Sequence, residues 1–269
     1  MSATAPLRPR RPATMLKINN LTKRFGGLAA VNDVSVEFAA GQINAIIGPN
    51  GAGKTTFFNL VAGAMPPTSG SIEFNGMDVT GMAPDRIARL GIARTFQTTK
   101  LFEQSTVLDN LIVGHRLRTQ SRLWDVIINS KRLRDEEKKC RAKAAEVLDF
   151  VGLSHIGHRY IADTTQEERK RVAFALAMAT DPELVLLDEP AGGINPEETE
   201  NLAALIRKMV DHGITVCLIE HKMDMIMSLA DKIMVLDHGE KIAEGTPEQI
   251  KTNPVVIEAY LGSEEDVEA

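Results

Sequence analysis

The sequence predicts an α/β fold with a parallel sheet, and two observations support this. A continuous apolar run, Ile43–Ile47, leads into a glycine-rich turn and then into a helical pattern over Phe57–Ala64. Such a run is typical of a strand that is buried on both faces of a sheet. Two more apolar runs, Leu184–Leu187 and Ile214–Ile219, lie late in the chain, and each follows a helical pattern. Because strands that alternate with helices are usually connected in parallel, we expect one α/β core.

The rest of the chain predicts two regions around this core. Met15–Asn20 and Val34–Phe38 contain alternating or β-branched apolar residues, which predict strands of an antiparallel β region near the N-terminus. Between about residues 103 and 160 the pattern becomes helical, and charges cluster over Lys131–Lys143. The apolar residues with helical spacing there are Ala144, Val147, Leu148 and Val151. We interpret this stretch as a helical subdomain inserted into the core.

We expect a single domain over residues 15–262 with a tail at each end. Residues 1–14 contain arginine and proline but no apolar segment of the kind found in secretory signals, which predicts a disordered tail. Residues 263–269 are acidic and predict a second tail.

The composition excludes several classes of protein. A formal net charge of −5 argues against nonspecific nucleic-acid binding, which needs a basic surface. No apolar stretch approaches the roughly 18–20 residues that cross a bilayer, so we expect contact with a membrane only through other subunits. Cys140 and Cys217 are far apart and lack the spacing of metal ligands, which favours a reducing compartment.

The glycine-rich turn has the pattern of a phosphate-binding P-loop. Its residues are Gly48, Pro49, Asn50, Gly51, Ala52, Gly53, Lys54, Thr55 and Thr56. Glycines let the backbone curl so that its N–H groups point at phosphate oxygens. Lys54 provides a positive charge for the β- and γ-phosphates, and Thr55 provides a hydroxyl for Mg²⁺. The following helix adds its positive N-terminal end.

An acidic pair follows the buried strand Leu184–Leu187 at its carboxyl end, where ligands bind in open α/β sheets. We expect Asp188 to hold Mg²⁺ through water and Glu189 to polarise the attacking water. Four apolar residues and two acids are a weak signal alone. Downstream of a P-loop they strongly indicate nucleotide hydrolysis.

These motifs resemble those of the ABC ATPase family, and the resemblance covers about residues 15–262. It implies a RecA-like P-loop NTPase core with an inserted helical subdomain and an N-terminal antiparallel β region. Phe25, 29 residues before Lys54, resembles the aromatic residue that stacks on adenine. His221, which follows a predicted strand, resembles the switch histidine that contacts the γ-phosphate. A core phenylalanine and an ordinary surface histidine are the respective alternatives.

A further residue of the family pattern is Gln97, in Arg94-Thr95-Phe96-Gln97. It resembles the glutamine that joins the two subdomains and senses both Mg²⁺ and the attacking water. The resemblance therefore implies ATP and Mg²⁺ as cofactors. It assigns catalysis to Glu189, His221 and Gln97, and metal binding to Thr55, Gln97 and Asp188.

Several phrases resemble, more narrowly, the ATP-binding subunits of branched-chain amino-acid importers. They are Thr22–Leu28, Arg94–Gln97, Thr106–Leu111, Glu220–Met223 and Ala243–Pro247. The loop Ala191–Pro196 stands where the family places a loop that touches the opposite subunit. The usual aspartate of that loop is Asn195 in this chain.

One motif departs from the family pattern. The signature loop of the family, typically Leu-Ser-Gly-Gly-Gln, lies 23 residues before the magnesium aspartate, which places Thr165 at the serine. Both glycines are absent, and Glu167 replaces the one closest to phosphate. Because a carboxylate repels phosphate, we expect a weakened contribution to the opposite site. The alternative is that Glu167 points away and Arg169 or Lys170 offsets its charge.

The resemblance implies an ATP-hydrolysing subunit on the inner face of the cell membrane that energises an importer of branched-chain amino acids or related small amides. The implied partners are a second ATPase subunit, two membrane permeases and, indirectly, a solute-binding protein. A heterodimer is preferred to a homodimer because of Glu167. We expect docking near Gln97 and Lys100–Val113.

The alternatives are an ATPase of an export or lipid-transport branch, a regulatory module with impaired hydrolysis, and a nontransport ABC protein that acts on ribosomes or DNA. The last usually has two ATPase units or long inserted coils. One unit without a basic patch argues against it.

Overall fold

The computed structural model describes residues 14–95, 101–115 and 130–265, with side chains to residue 260. The strands are β1 (Thr14–Phe25), β2 (Leu28–Ala39), β3 (Ile43–Ile47), β4 (Ser69–Phe74), β5 (Met77–Asp78), β6 (Ile92–Thr95), β7 (Leu184–Asp188), β8 (Thr215–Ile219), β9 (Lys232–Asp237) and β10 (Glu240–Gly245). The described α-helices are α1 (Lys54–Val61), α2 (Pro84–Leu90), α3 (Val107–His115), α4 (Lys131–Phe150), α5 (Gln166–Met178), α6 (Pro196–Asp211), α7 (Met223–Leu229), α8 (Pro247–Lys251) and α9 (Pro254–Glu265).

The strands form two sheets. The larger has the order β10-β9-β3-β8-β7-β6 and is parallel except for the antiparallel edge strand β10. The smaller, β2-β1-β4-β5, is antiparallel. The α/β fold and the N-terminal antiparallel region predicted from the sequence are therefore both present.

The central strands are mostly apolar because both faces of the larger sheet are covered. On one face, Ala45, Leu187 and Leu218 pack with residues of the helices. On the other face, Ile46 and Leu186 pack with residues of α1 and the smaller sheet. The alternation of side chains along a strand thus feeds two separate cores.

The element boundaries moved in several places. The first two strands extend over Thr14–Phe25 and Leu28–Ala39, well beyond the predicted Met15–Asn20 and Val34–Phe38. The added residues of β1 and β2 include polar ones that pair with the neighbouring strand. This pairing, more than apolar alternation, sets the length of the two strands.

The described part of the predicted helical region contains α3 and α4. Helix α5 packs against both of them and against β6, so the helical packing continues beyond residue 160. Helix α9 reaches Glu265. Among the described residues, no helix has the length and apolarity to cross a bilayer.

Candidate functional site

The register of the larger sheet brings the predicted motifs together. Ile46 of β3 pairs with Ile219 of β8, and the same Ile219 pairs with Asp188 of β7. The carboxyl ends of three adjacent strands therefore end at one edge. The P-loop, the acidic pair and His221 each follow one of these ends.

The P-loop conformation requires glycine at two of its positions. Gly48 has φ +148°, and a Cβ there would lie 1.9 Å from the carbonyl oxygen of Leu236. Gly53 has φ +96°, and a Cβ there would lie 2.2 Å from the carbonyl oxygen of Ala30. Both the backbone conformation and the close approach of neighbouring backbone exclude a side chain.

Lys54 begins α1 and points back into the loop. Its Nζ donates hydrogen bonds of 2.7 Å to the carbonyl oxygens of Gly48 and Pro49. Burial lowers the pKa of the Lys54 ammonium, and the carboxylates of Glu189 and Asp188 oppose that shift. The N-cap of α1 is Gly53, which has no side chain to satisfy the first N–H groups. The loop thus combines a positive charge with backbone donors, as a phosphate site requires.

Asp188 is the last residue of β7 and is buried. Its Oδ2 accepts a 2.8 Å hydrogen bond from Nη2 of Arg94, whose Nη1 donates to Asn59 at 2.5 Å. No role for Arg94 was predicted from the sequence beyond its place in the phrase Arg94–Gln97. The signal that could have found it is a charged residue within the apolar strand β6, because such a residue needs an ionic partner.

The oxygen donors near this edge suit Mg²⁺. Asp188 offers a carboxylate and Thr55 a hydroxyl, both hard ligands. Among the described residues there is no group of three or more acidic, His or Cys side chains that could hold a metal ion alone. The residues fit a Mg²⁺ ion that takes its remaining ligands from phosphate and water, which is its usual mode in nucleotide sites.

Glu189 and His221 contact each other. The distance between Glu189 Oε1 and His221 Nε2 is 3.0 Å, and the Glu189 N–H donates to the Ile219 carbonyl at 2.9 Å. Glu189 has φ +48°, an uncommon conformation for a residue with a long side chain. The pairing argues against the reading of His221 as an isolated surface histidine.

Glu220 is a site residue whose role the sequence did not predict. It is 3% exposed, and its carboxylate accepts hydrogen bonds from the backbone N–H groups of Ala191 at 2.5 Å and His221 at 3.0 Å. It therefore fastens the loop after Glu189 to the loop that carries His221. The available signal was a carboxylate directly after an apolar strand.

Two further predicted site residues are Phe25 and Gln97. Phe25 is 50% exposed at the end of β1, and Nζ of Lys23 lies 5.3 Å from its ring centroid. The alternative of a core phenylalanine is wrong, because Phe25 is half exposed. Gln97 lies outside the described residues.

The segment at the place of the signature loop begins α5, and a capping box between Thr165 and Glu168 caps this helix. The Thr165 hydroxyl accepts from the N–H of Glu168, and the Glu168 carboxylate accepts from the N–H of Thr165 at 2.7 Å. Glu167 forms an ion pair with Arg171, in which Oε1 of Glu167 lies 2.8 Å from Nη2 of Arg171. The expectation that Arg169 or Lys170 offsets Glu167 is wrong, because the i,i+4 spacing on a helix brings Arg171 to it. Arg169 instead lies 3.6 Å from Glu103.

The loop after Glu189 is held by side chains of two neighbouring elements. Lys170 of α5 donates to the carbonyl oxygen of Pro190 at 3.1 Å and also to that of Gly192. Lys222 donates to the carbonyl oxygen of Ile194 at 3.0 Å. Asn195 caps α6 through a capping box with Glu198. The asparagine at the place of the usual aspartate thus serves as a helix cap.

An apolar groove of about 430 Å³ lies between β6, α2, α3 and α5. Two of its apolar lining residues are strongly exposed, Phe102 at 60% and Val113 at 49%. Helix α5 contributes Ala173, Leu176 and Ala177 to the lining. All of β6 lines the groove, which also includes part of the predicted docking segment.

Two protein-family models match parts of the chain. The family model described as ABC transporter matches residues 31–192, and the model described as branched-chain amino acid ATP-binding cassette transporter matches residues 240–266. A high-affinity branched-chain amino acid transport ATP-binding protein of Pseudomonas aeruginosa is 41% identical, covering 92% of this chain and 98% of its own length. A probable protein of the same kind from Archaeoglobus fulgidus is 36% identical, covering 93% and 96% respectively.

Solved structures resemble the chain over nearly its full length. A crystal structure of the ADP conformation of MJ1267, an ATP-binding cassette of an ABC transporter, superposes with a TM-score of 0.81 at 31% identity, covering 93% of this chain and 99% of that one. A nucleotide-free ATP-binding cassette from an ABC transporter gives 0.80 at 32% identity, covering 92% and 98%.

Proposed function

The chain belongs to the ATP-binding subunits of ABC transporters, and we propose that it energises an importer of branched-chain amino acids or related small amides. As a member of this family it binds nucleotide and is an ATPase. The observation that carries the proposal is the meeting of Lys54, Asp188 and the Glu189–His221 pair at one sheet edge. The match of residues 240–266 to the branched-chain model supports the choice of solute.

In the proposed mechanism the site residues act on the phosphates, the adenine, the attacking water and Mg²⁺. Lys54 and the P-loop N–H groups hold the β- and γ-phosphates, and Phe25 stacks on adenine. Glu189 accepts a proton from the attacking water, and His221 orients Glu189 and contacts the γ-phosphate. Asp188, Thr55 and Gln97 would hold Mg²⁺, which would neutralise charge on the phosphates.

The import function is tested by uptake in proteoliposomes that contain the chain with its permeases and second ATPase. ATP-dependent uptake of leucine is expected when a solute-binding protein supplies the amino acid, and Lys54→Met should abolish it. ATP hydrolysis that no branched-chain amino acid stimulates would contradict the proposed solute class.

The apolar groove is the proposed docking place for a membrane permease, which would hold the chain at the inner face of the membrane. Exposed Phe102 and Val113 favour an apolar partner segment. Substituting Leu101 and Phe102 by serine should prevent copurification with the permeases while leaving nucleotide binding intact. Copurification and coupled transport that survive the double substitution would contradict this assignment.

The second ATPase subunit is proposed to be a different chain. The start of α5 carries Glu167 in its first turn, and its cap groups bond within the chain. A partner with an unaltered signature loop would complete the site on Lys54 and Glu189. Equimolar mixing of the two ATPases with ATP and the permeases should yield a heterodimer. An assembly that needs only this chain and turns over at full rate would contradict it.

A further inference from the structure

Helix α5 connects two parts of the molecule. Its residues Ala173, Leu176 and Ala177 line the apolar groove. Its residue Lys170 lies one turn earlier and reaches the loop that follows Glu189. Because residues on a helix move as a rigid unit, a displacement of α5 at the groove also displaces Lys170.

The loop that Lys170 reaches is held at several points, and Ala191 is buried in the core. Pro190 has no N–H to donate, and the Ala191 N–H is taken by the carboxylate of Glu220. The carbonyl oxygens of Pro190 and Gly192 both accept from Nζ of Lys170. A carboxylate therefore holds the loop from its N–H side and an ammonium holds it from its carbonyl side. Hydrogen bonds to charged groups are among the stronger ones in proteins.

The residue before this loop has a conformation that depends on its surroundings. Glu189 has φ +48°, and such a conformation in a residue with a Cβ persists only where neighbouring contacts fix it. On one side, the Glu189 N–H is bonded to the Ile219 carbonyl. On the other side, the Glu189 carbonyl accepts from the Gly192 N–H at 3.1 Å. The second bond lies within the loop that Lys170 holds.

We propose that Lys170 is a positioning residue that ties α5 to the loop Pro190–Gly192, so that a displacement of α5 at the groove reaches Glu189. Lys170 contacts neither phosphate nor water in this role. It acts through the backbone on the side chain that polarises the water. The proposal rests on the proposed function where it gives the groove a permease, but the attachment itself concerns this chain alone.

The attachment is tested by hydrogen exchange of the full chain without permeases. In Lys170→Met, amide exchange over residues 191–194 should rise by about tenfold or more, because removing a charged partner frees the loop. Lys170→Arg should retain slow exchange. Lys139→Met, an exposed lysine on α4, is the matched control and should leave these residues unchanged. Exchange in Lys170→Met that equals the control would overturn the proposal.

Positioning is separated from a structural role by kinetics of the complex with the second ATPase. Lys170→Met should lower kcat by about ten- to a hundredfold while KM for ATP changes by less than about twofold, because ground-state binding is untouched. Lys170→Arg should recover part of kcat. A parallel loss of ATP affinity, or an unchanged kcat in a chain whose loop exchanges faster, would each overturn the positioning role.

The link to the groove needs its own measurement. Ala173→Phe places a ring in the groove and should alter amide exchange over residues 191–194 in the otherwise unchanged chain. In the Lys170→Met background the same substitution should have no further effect on that loop. An Ala173→Phe effect of equal size in both backgrounds would show that α5 reaches Glu189 by another route and would overturn the link. Exchange is measured in both backgrounds without permeases, so the result is independent of the proposed import function.

Discussion

The starts of α1 and α5 differ in what their first N–H groups bind. At α1 the N-cap is Gly53, which leaves the first N–H groups to a ligand, and Lys54 adds a positive charge. At α5 the cap is Thr165, whose hydroxyl and partner Glu168 satisfy donors within the chain. Glu167 adds a negative charge to that first turn. A helix N-terminus thus serves as an anion site only where its donors are left to the ligand and its nearest charges are positive.

The largest effect is expected from removing the positive charge of Lys54 at the start of α1. Lys54→Met should reduce ATP turnover at this chain's own site by on the order of a hundred- to a thousandfold, because a preorganised positive charge at the phosphates is lost. Lys139→Met removes an exposed lysine of α4 and should retain full turnover. Comparable turnover in the two variants, measured by phosphate release, would show that Lys54 is not part of the site.

The Glu189–His221 pair predicts strong coupling. Each of Glu189→Gln and His221→Ala should lower turnover at this site by about a hundredfold, since the two groups act as a unit. The double variant should lose little more than either single one. Losses that multiply would indicate independent roles, and single-turnover kinetics on all three variants distinguish the two results.

A smaller effect is expected from restoring glycine at the start of α5. In the Glu189→Gln background, Glu167→Gly should raise the residual turnover by about three- to tenfold, because the substitution removes a carboxylate from the helix start that is proposed to face the partner's phosphate. Glu197→Gly makes the same change in the first turn of α6 and is the control. A residual rate that Glu167→Gly leaves unchanged or lowers would mean that Glu167 is not the cause of the weak site.

The smallest effect concerns stability. Thr165→Ala and Asn195→Ala each remove a capping box, and each should lower the free energy of unfolding by about 1 kcal/mol. Denaturant unfolding of the two variants provides the measurement. A Thr165 variant as stable as the parent chain would show that the start of α5 is not held by its own cap.

Three strands of the larger sheet, β3, β7 and β8, could be predicted because they are buried on both faces. Ile43–Ile47 is apolar apart from Asn44 and has the same limits in the structure. Strand β9 was missed although its run Ile233–Leu236 is apolar and buried. The strands β4, β5, β6 and β10 were missed because they are short or mix polar or charged residues with apolar ones. Their strand pairing depends on a neighbour that lies far away in the chain, which local sequence does not reveal.

The candidate site could be predicted where a residue type is required by chemistry at a fixed spacing. The P-loop and the acidic pair are such cases, since glycine, lysine and carboxylate have no substitutes there. The roles of Arg94, Lys170 and Glu220 depend on contacts between distant elements, with separations of 94, 20 and 29 residues to their partners. A single sequence gives their charge but not the atom that each one meets.

We propose that this chain's own site hydrolyses ATP quickly, whereas the site completed by the start of α5 in the partner ATPase hydrolyses ATP slowly. The direct measurement is ATPase activity of the assembled complex with one catalytic glutamate changed at a time. Glu189→Gln should remove about nine-tenths or more of the activity, whereas the matching substitution in the partner ATPase should remove less than about half. Equal losses from the two substitutions would contradict the account.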